Sequence, residues 1–92
     1  MYTDVDWTHG ADHMLEKHDV TVAQANEALR DPDRVVIQPD YGSRSGTSDR
    51  VIGYSGTFDD LLTVIVITNN GTEYGVNGWR SNSKDRRLYN ET

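Results

Sequence analysis

The chain has 92 residues, a net charge of −6 and no cysteine. That length supports one modest core and not two. The missing thiols exclude a disulfide framework, a thiolate metal site and a cysteine nucleophile, and the charge argues against a generic nucleic-acid binder, because phosphate contacts need cations.

Residues 1–92 therefore read as one domain. Hydrophobic residues make up 35% of the chain, a low share, but they fall in periodic runs that a disordered chain lacks. No run approaches the ~20 apolar residues of a transmembrane helix, so no membrane partner is expected. The start, Met1-Tyr2-Thr3-Asp4, is acidic and no signal-peptide core follows it, so a cytoplasmic location is expected.

Residues 7–18 read as a helix with Trp7, Ala11, Met14, Leu15 and His18 on its apolar face and His9, His13 and Glu16 opposite. Asp6 or Thr8 is placed to cap it, and Asp19-Val20 breaks the pattern. Residues 21–31 read as a second helix. Thr21 and Gln24 have capping-box spacing, Val22, Ala25 and Leu29 form the buried stripe, and Pro32 ends it.

The period then changes to that of strands. Arg34-Val35-Val36-Ile37 is a β-branched edge strand stopped by Pro39. Residues 40–48 are rich in glycine and serine and read as a mobile loop. Arg50, Ile52 and Tyr54 alternate with Val51 and Gly53, which predicts a strand with one buried face. Residues 55–60 turn. Leu61 to Ile67 is apolar on both faces and belongs at the centre of a sheet. Asn70-Gly71 signals a two-residue hairpin, and the last strand runs from Thr72 to Arg80. Ser81 or Ser83 is placed to cap a short closing helix from Lys84 to Tyr89. The order helix, helix, four strands, helix predicts an α+β fold, an antiparallel meander with helices on one face.

Charge is unevenly spread. Residues 1–40 hold nine acids and three bases, whereas residues 76–92 hold four bases (Arg80, Lys84, Arg86, Arg87) and two acids. The acidic half serves solubility or favours a basic partner protein.

Four segments resemble the BrnT-like toxins. "KHDVTVAQANEAL" at 17–29 is similar to that family's Lys-His-Gly-Val-Ser/Thr opening, and "DRVIGYSG" at 49–56 to its Glu/Asp-Arg-x-Ile-Gly strand. "LLTVIVI" at 61–67 occupies the place of its central strand. "WRSNSKDRRLY" at 79–89 is similar to its Ala/Ser-Arg-x-Ala-x-x-x-Glu-Arg-Arg-x-Tyr ending. The resemblance runs from about Trp7 to Tyr89. It implies a RelE-like fold, a metal-independent endoribonuclease that inhibits translation without a cofactor, and a cognate antitoxin encoded beside it, a ribbon-helix-helix DNA-binding protein. The chain departs from the pattern at Asp19, where the family has glycine, and at Asp85, where it has glutamate, and it is more acidic. His9 to Glu16 is also similar to the first helix of a neighbouring group of small domains with no settled activity.

Metal-free RNA cleavage needs a base for the 2′-hydroxyl, an acid for the leaving 5′-oxygen, cations for the charge on phosphorus, and a surface that holds backbone and bases. Arg80, Arg86 and Arg50 are the candidate catalytic cations, since arginine forks match phosphate oxygens. Arg87 and Lys84 would add RNA binding and Trp79 a stacking surface. As ordinary structure, the same cations would be solvated surface charges or partners of the acidic body, and Trp79 would pack beside the sheet. His18 and Tyr89 are acid–base candidates, followed by His9, His13 and Glu16; His18 would otherwise cap its helix. The spacing of His9, His13 and Glu16 also suits a metal, though no fourth ligand is evident. Three functions follow for comparison: a ribonuclease toxin acting on RNA, a non-catalytic protein-interaction module of the same fold, and a metal- or ligand-binding domain.

Overall fold

The computed structural model describes residues 2–92 and has the expected α+β architecture. Two helices, α1 (Ala11–His18) and α2 (Val22–Leu29), precede the strands β1 (Val35–Ile37), β2 (Ser48–Ser55), β3 (Asp60–Asn69) and β4 (Thr72–Arg80), and α3 (Ser83–Asn90) closes the chain. The sheet is an antiparallel meander in the order β1-β2-β3-β4, with β1 and β4 at its edges. No described helix is long and apolar enough to cross a membrane.

The local chemistry of α2 is as read from its sequence. Thr21 Oγ1 accepts from Gln24 N (3.1 Å) and Gln24 Oε1 accepts from Thr21 N (3.0 Å), a complete capping box. The hairpin also forms at Asn70-Gly71, whose φ angles of 52° and 80° match a two-residue turn with both residues left-handed.

α1 is shorter than its apolar pattern suggests. It starts at Ala11 with Gly10 as its N-cap and no side-chain cap bond; Asp6 Oδ1 instead accepts from Thr8 N (2.8 Å) inside the preceding turn. Trp7 leaves the helix for the core, where its Nε1 donates to Asn26 Oδ1 (3.0 Å). Of the expected buried stripe only Met14 is fully enclosed and Ala11 half-buried, while Leu15 and His18 face solvent. Asp19 ends the helix in the left-handed conformation (φ 57°) and turns buried Val20 inward.

The main core lies between α1, α2 and one sheet face. It joins Trp7, Met14, Val20, Ala25, Ala28 and Leu29 to Val51, Leu62, Val64 and Val66. Side chains alternate along a strand, so Arg50, Ile52, Thr63 and Ile65 lie on the opposite face. That face is covered as well: Asp85 of α3 bonds Thr63 and Arg50. The helices are therefore split between the two faces, and residues 50–53 of β2 are buried on both sides, not on one. The cap of α3 is Asn82, whose Oδ1 accepts from Asp85 N (2.9 Å), and neither Ser81 nor Ser83.

Glycine permits the closest contacts. A Cβ on Gly53 would lie 2.1 Å from the Ala28 carbonyl oxygen, a backbone clash that no rotamer change relieves. We expect Gly53→Ala to cost about 2 kcal/mol, a drop of about 10 °C in Tm for a domain of this size. Gly56→Ala, where a Cβ meets nothing within 4 Å, should melt within a degree or two of the parent. Paired thermal melts check both.

Candidate functional site

Two carboxylate–arginine clusters hold the residues singled out for chemistry, and consecutive residues of α3, Asp85 and Arg86, reach them. The first is buried. Arg50 is 7% exposed and donates from Nε to Asp40 Oδ1 (2.7 Å) and from Nη1 to Asp85 Oδ2 (2.8 Å). Its Nη1 also reaches Tyr41 Oη (2.7 Å), and that hydroxyl donates to Asp85 Oδ1 (2.6 Å). Thr63 Oγ1 donates to Asp85 Oδ2 (2.7 Å). Burial alone would push the Asp85 carboxyl up; the hydrogen bonds from Tyr41 and Thr63 and the charge of Arg50 outweigh it and hold the group below the ordinary carboxylate range. The Tyr41 phenol is pushed up by burial and by its bond to Asp85.

Residues 40–42 are thus fixed at the start of the segment that reads as a mobile loop. Buried Asp40 is also tied through its N–H to Ser48 O (2.8 Å). Arg50 Cζ lies 4.1 Å from the centroid of the Tyr41 ring and Lys84 Nζ 3.9 Å from it.

The second cluster lies at the end of the sheet. Arg86 grips Asp60 with both ends of its fork (2.7 and 3.0 Å), and Arg80 donates to the same carboxylate. The bond from Arg86 holds the Asp60 carboxyl far below its usual range. Arg80 also lies over the Phe58 ring at 4.8 Å.

The acid–base candidates are elsewhere. Tyr89 Oη donates to Asp31 Oδ2 (2.6 Å), which ties α3 to the end of α2; that bond and burial push its phenol up to about 12. His18 packs against Trp79 (5.7 Å between centroids), His13 against His18 (6.2 Å) and His9 against Tyr74 (5.9 Å). Trp79 and Arg80 are consecutive in a strand and point to opposite faces; Trp79 lies with its register partner Thr63 on the Arg50 face, its ring centroid 5.6 Å from Arg50 Cζ, so the Trp79 ring stands between His18 and the Arg50 cluster. His9, His13, Glu16 and His18 are all exposed along α1 and its approach. Among the described residues no three His, Cys, Asp or Glu side chains are grouped to hold a metal ion, so the His9–His13–Glu16 spacing does not close into a ligand set. Arg87 and Lys84 are exposed on α3, and no described carboxylate forms an ion pair with either.

The cations at Arg50, Arg80 and Arg86 are therefore brought near one helix, but each is engaged by carboxylates. Sequence reasoning identified the arginines and missed Asp40, Tyr41 and Asp60. Asp60 looks like one of two turn acids before an apolar run, and nothing local marks it as the partner of a helix 26 residues on.

No protein-family model matches the chain, and no curated protein is similar enough to count as a relative.

Asp85→Ala leaves Arg50 buried with one counter-ion, so we expect a loss of about 3–5 kcal/mol in urea unfolding. Asp31, Asp60 and Asp85 all have lowered folded pKa values. Their contribution is fully present above the unfolded value of about 4 and is lost as pH falls through the folded values. The urea midpoint should hold between pH 6 and 5 and drop steeply below about pH 4, measured as a series of titrations across that range.

Proposed function

We propose that this chain is a cytoplasmic protein-interaction module and does not cut RNA. The observation that carries the reading is the pairing of Arg50, Arg80 and Arg86 with carboxylates. Two arginines sharing Asp60 leave one net positive charge; Arg50 between Asp40 and Asp85 leaves one net negative. A phosphodiester would have to displace a carboxylate held by its own chain, at far higher effective concentration than any substrate. Of the cations singled out for RNA, that leaves Lys84 and Arg87 without an ion pair; the other such bases, Lys17, Arg30, Arg34 and Arg44, are scattered through the acidic first half of a chain of net charge −6. Two of the groups that could move a proton are poorly matched to it: Arg86 holds the Asp60 carboxyl far below its usual range, a weak base, and Asp31 pushes the Tyr89 phenol up, a weak acid.

A binding role fits what remains outside. The surface is acidic, its acids are concentrated in the first forty residues, and a basic protein partner would be steered to it. The resemblance to toxins suggests a DNA-binding antitoxin as the partner.

A second reading, a toxin ribonuclease held silent until RNA arrives, is favoured by one feature. The Asp60 cluster is at the surface, with the Arg80 side chain 60% exposed, so the carboxylate stands where a phosphate would be gripped. One experiment separates the two. Purified protein at micromolar concentration should leave single-stranded RNA intact, and Arg80→Ala and Arg86→Ala should not change growth of cells expressing it. RNA cleavage that disappears in Arg80→Ala would overturn the module reading in favour of the nuclease.

A further inference from the structure

We propose that the outward face of α1 is the docking surface of this module, and that it takes a basic amphipathic helix of a partner protein. The inference rests on the module reading and assigns its surface and the chemistry of its partner.

Asp12, Leu15 and Glu16 stand at i, i+3 and i+4, which makes one stripe on a helix, and Asp19 follows at its left-handed C-cap. All four are exposed, and no ion pair among the described residues uses the three acids. Leu15 is 49% exposed and is the only large exposed hydrophobic residue on any of the three helices. An isolated exposed leucine needs no explanation. Here it sits in the middle of three uncompensated carboxylates, on a helix that puts one residue into the core where α2 puts in three.

The face is also held rigidly. α1 rests closely on β4, by backbone at one end and a side chain further on: a Cβ on Gly10 would lie 2.4 Å from Gly75 O, and one on Gly78 would lie 2.9 Å from Met14 Sδ. A helix anchored from beneath in this way loses little freedom when a partner lands on top. Charge complementarity names the occupant. An apolar side chain of the partner helix covers Leu15, and its lysines or arginines face Asp12, Glu16 and Asp19. The eight-residue helix is about 12 Å long, so the contact is small, weak and salt-sensitive.

The test is an NMR titration of the full chain with a synthetic helical peptide built of leucine with lysine and arginine, beside a twin carrying glutamate instead. We expect shifts confined to α1 and adjoining β4, at least tenfold weaker binding for Glu16→Lys, about fivefold weaker for Leu15→Ala, and loss of affinity as salt rises. The acidic twin should not bind. Both substitutions are on the surface, so Tm should be unchanged. Shifts at α3 or β1, or equal affinity in both variants, would sink this surface while leaving the module reading intact; RNA cleavage by the parent protein would sink the module reading wherever the peptide bound. Self-association of the protein alone that Leu15→Ala abolishes would make a second copy the occupant and overturn the proposal.

Discussion

The buried guanidinium of Arg50 is the point on which the rest of the molecule depends. A cation taken out of water carries a desolvation cost of several kcal/mol and is tolerated only where its donors are met by well-placed acceptors. Asp40 comes from the loop after β1, Asp85 from α3, and Tyr41 bridges them. One side chain on β2 thereby fixes the loop, the closing helix and, through Thr63, the neighbouring strand. That acceptor set seats α3 by its one buried side chain, Asp85, and the bonds of Arg86 to Asp60 and of Tyr89 to Asp31 tie the helix further.

The same logic runs through the acids of the amino-terminal half, whose first reading is solubility. Glu27 accepts from Ser55 Oγ, Thr57 N and Thr57 Oγ1 (2.6–2.9 Å), so the turn between β2 and β3 is folded onto α2 by a carboxylate. Asp31 does the same for Tyr54 N and Tyr89 Oη. A small domain with a modest hydrophobic share gains order from charged acceptors that satisfy loop and strand-edge donors. The acidity is partly structural, and the acids left over, those with no such task, are the ones free to meet a partner.

How far the sequence could be read follows from how local each interaction is. The capping box of α2, the Asn70-Gly71 turn and the doubly apolar β3 depend on neighbours within a few residues, and all three are found as read. α1 is shorter than its pattern because Trp7 continues the apolar spacing but answers to Asn26, nineteen residues away. The exposure of Leu15 has a related cause: periodicity says which residues share a face and cannot say that glycines at 10 and 78 bring the helix so close to β4 that Met14 is its one buried side chain. At the candidate site, Arg50, Arg80 and Arg86 stand out by charge. Their fate depends on Asp40, Asp60 and Asp85, which reach them across separations of 10 to 35 residues in chain, and an acid in a turn looks the same whether it is solvated or gripping a fork.

The two helices of the main core divide the work of this fold. α2 is held by a close backbone approach at Gly53 and by many side chains: Ala25, Ala28 and Leu29 go inward, and Glu27 and the cap at Thr21 bind its flanks. Changing its residues changes stability. α1 is held by backbone proximity and one methionine, so most of its side chains carry no structural duty. A position free of structural duty can vary for recognition without loss of fold, which is why binding surfaces are built on scaffold elements whose own anchoring lies elsewhere. The carboxylates and the glycines thus act in opposite ways: the first hold cations of β2, β4 and α3 in ion pairs, and the second seat α1 so that its outward side chains stay exposed.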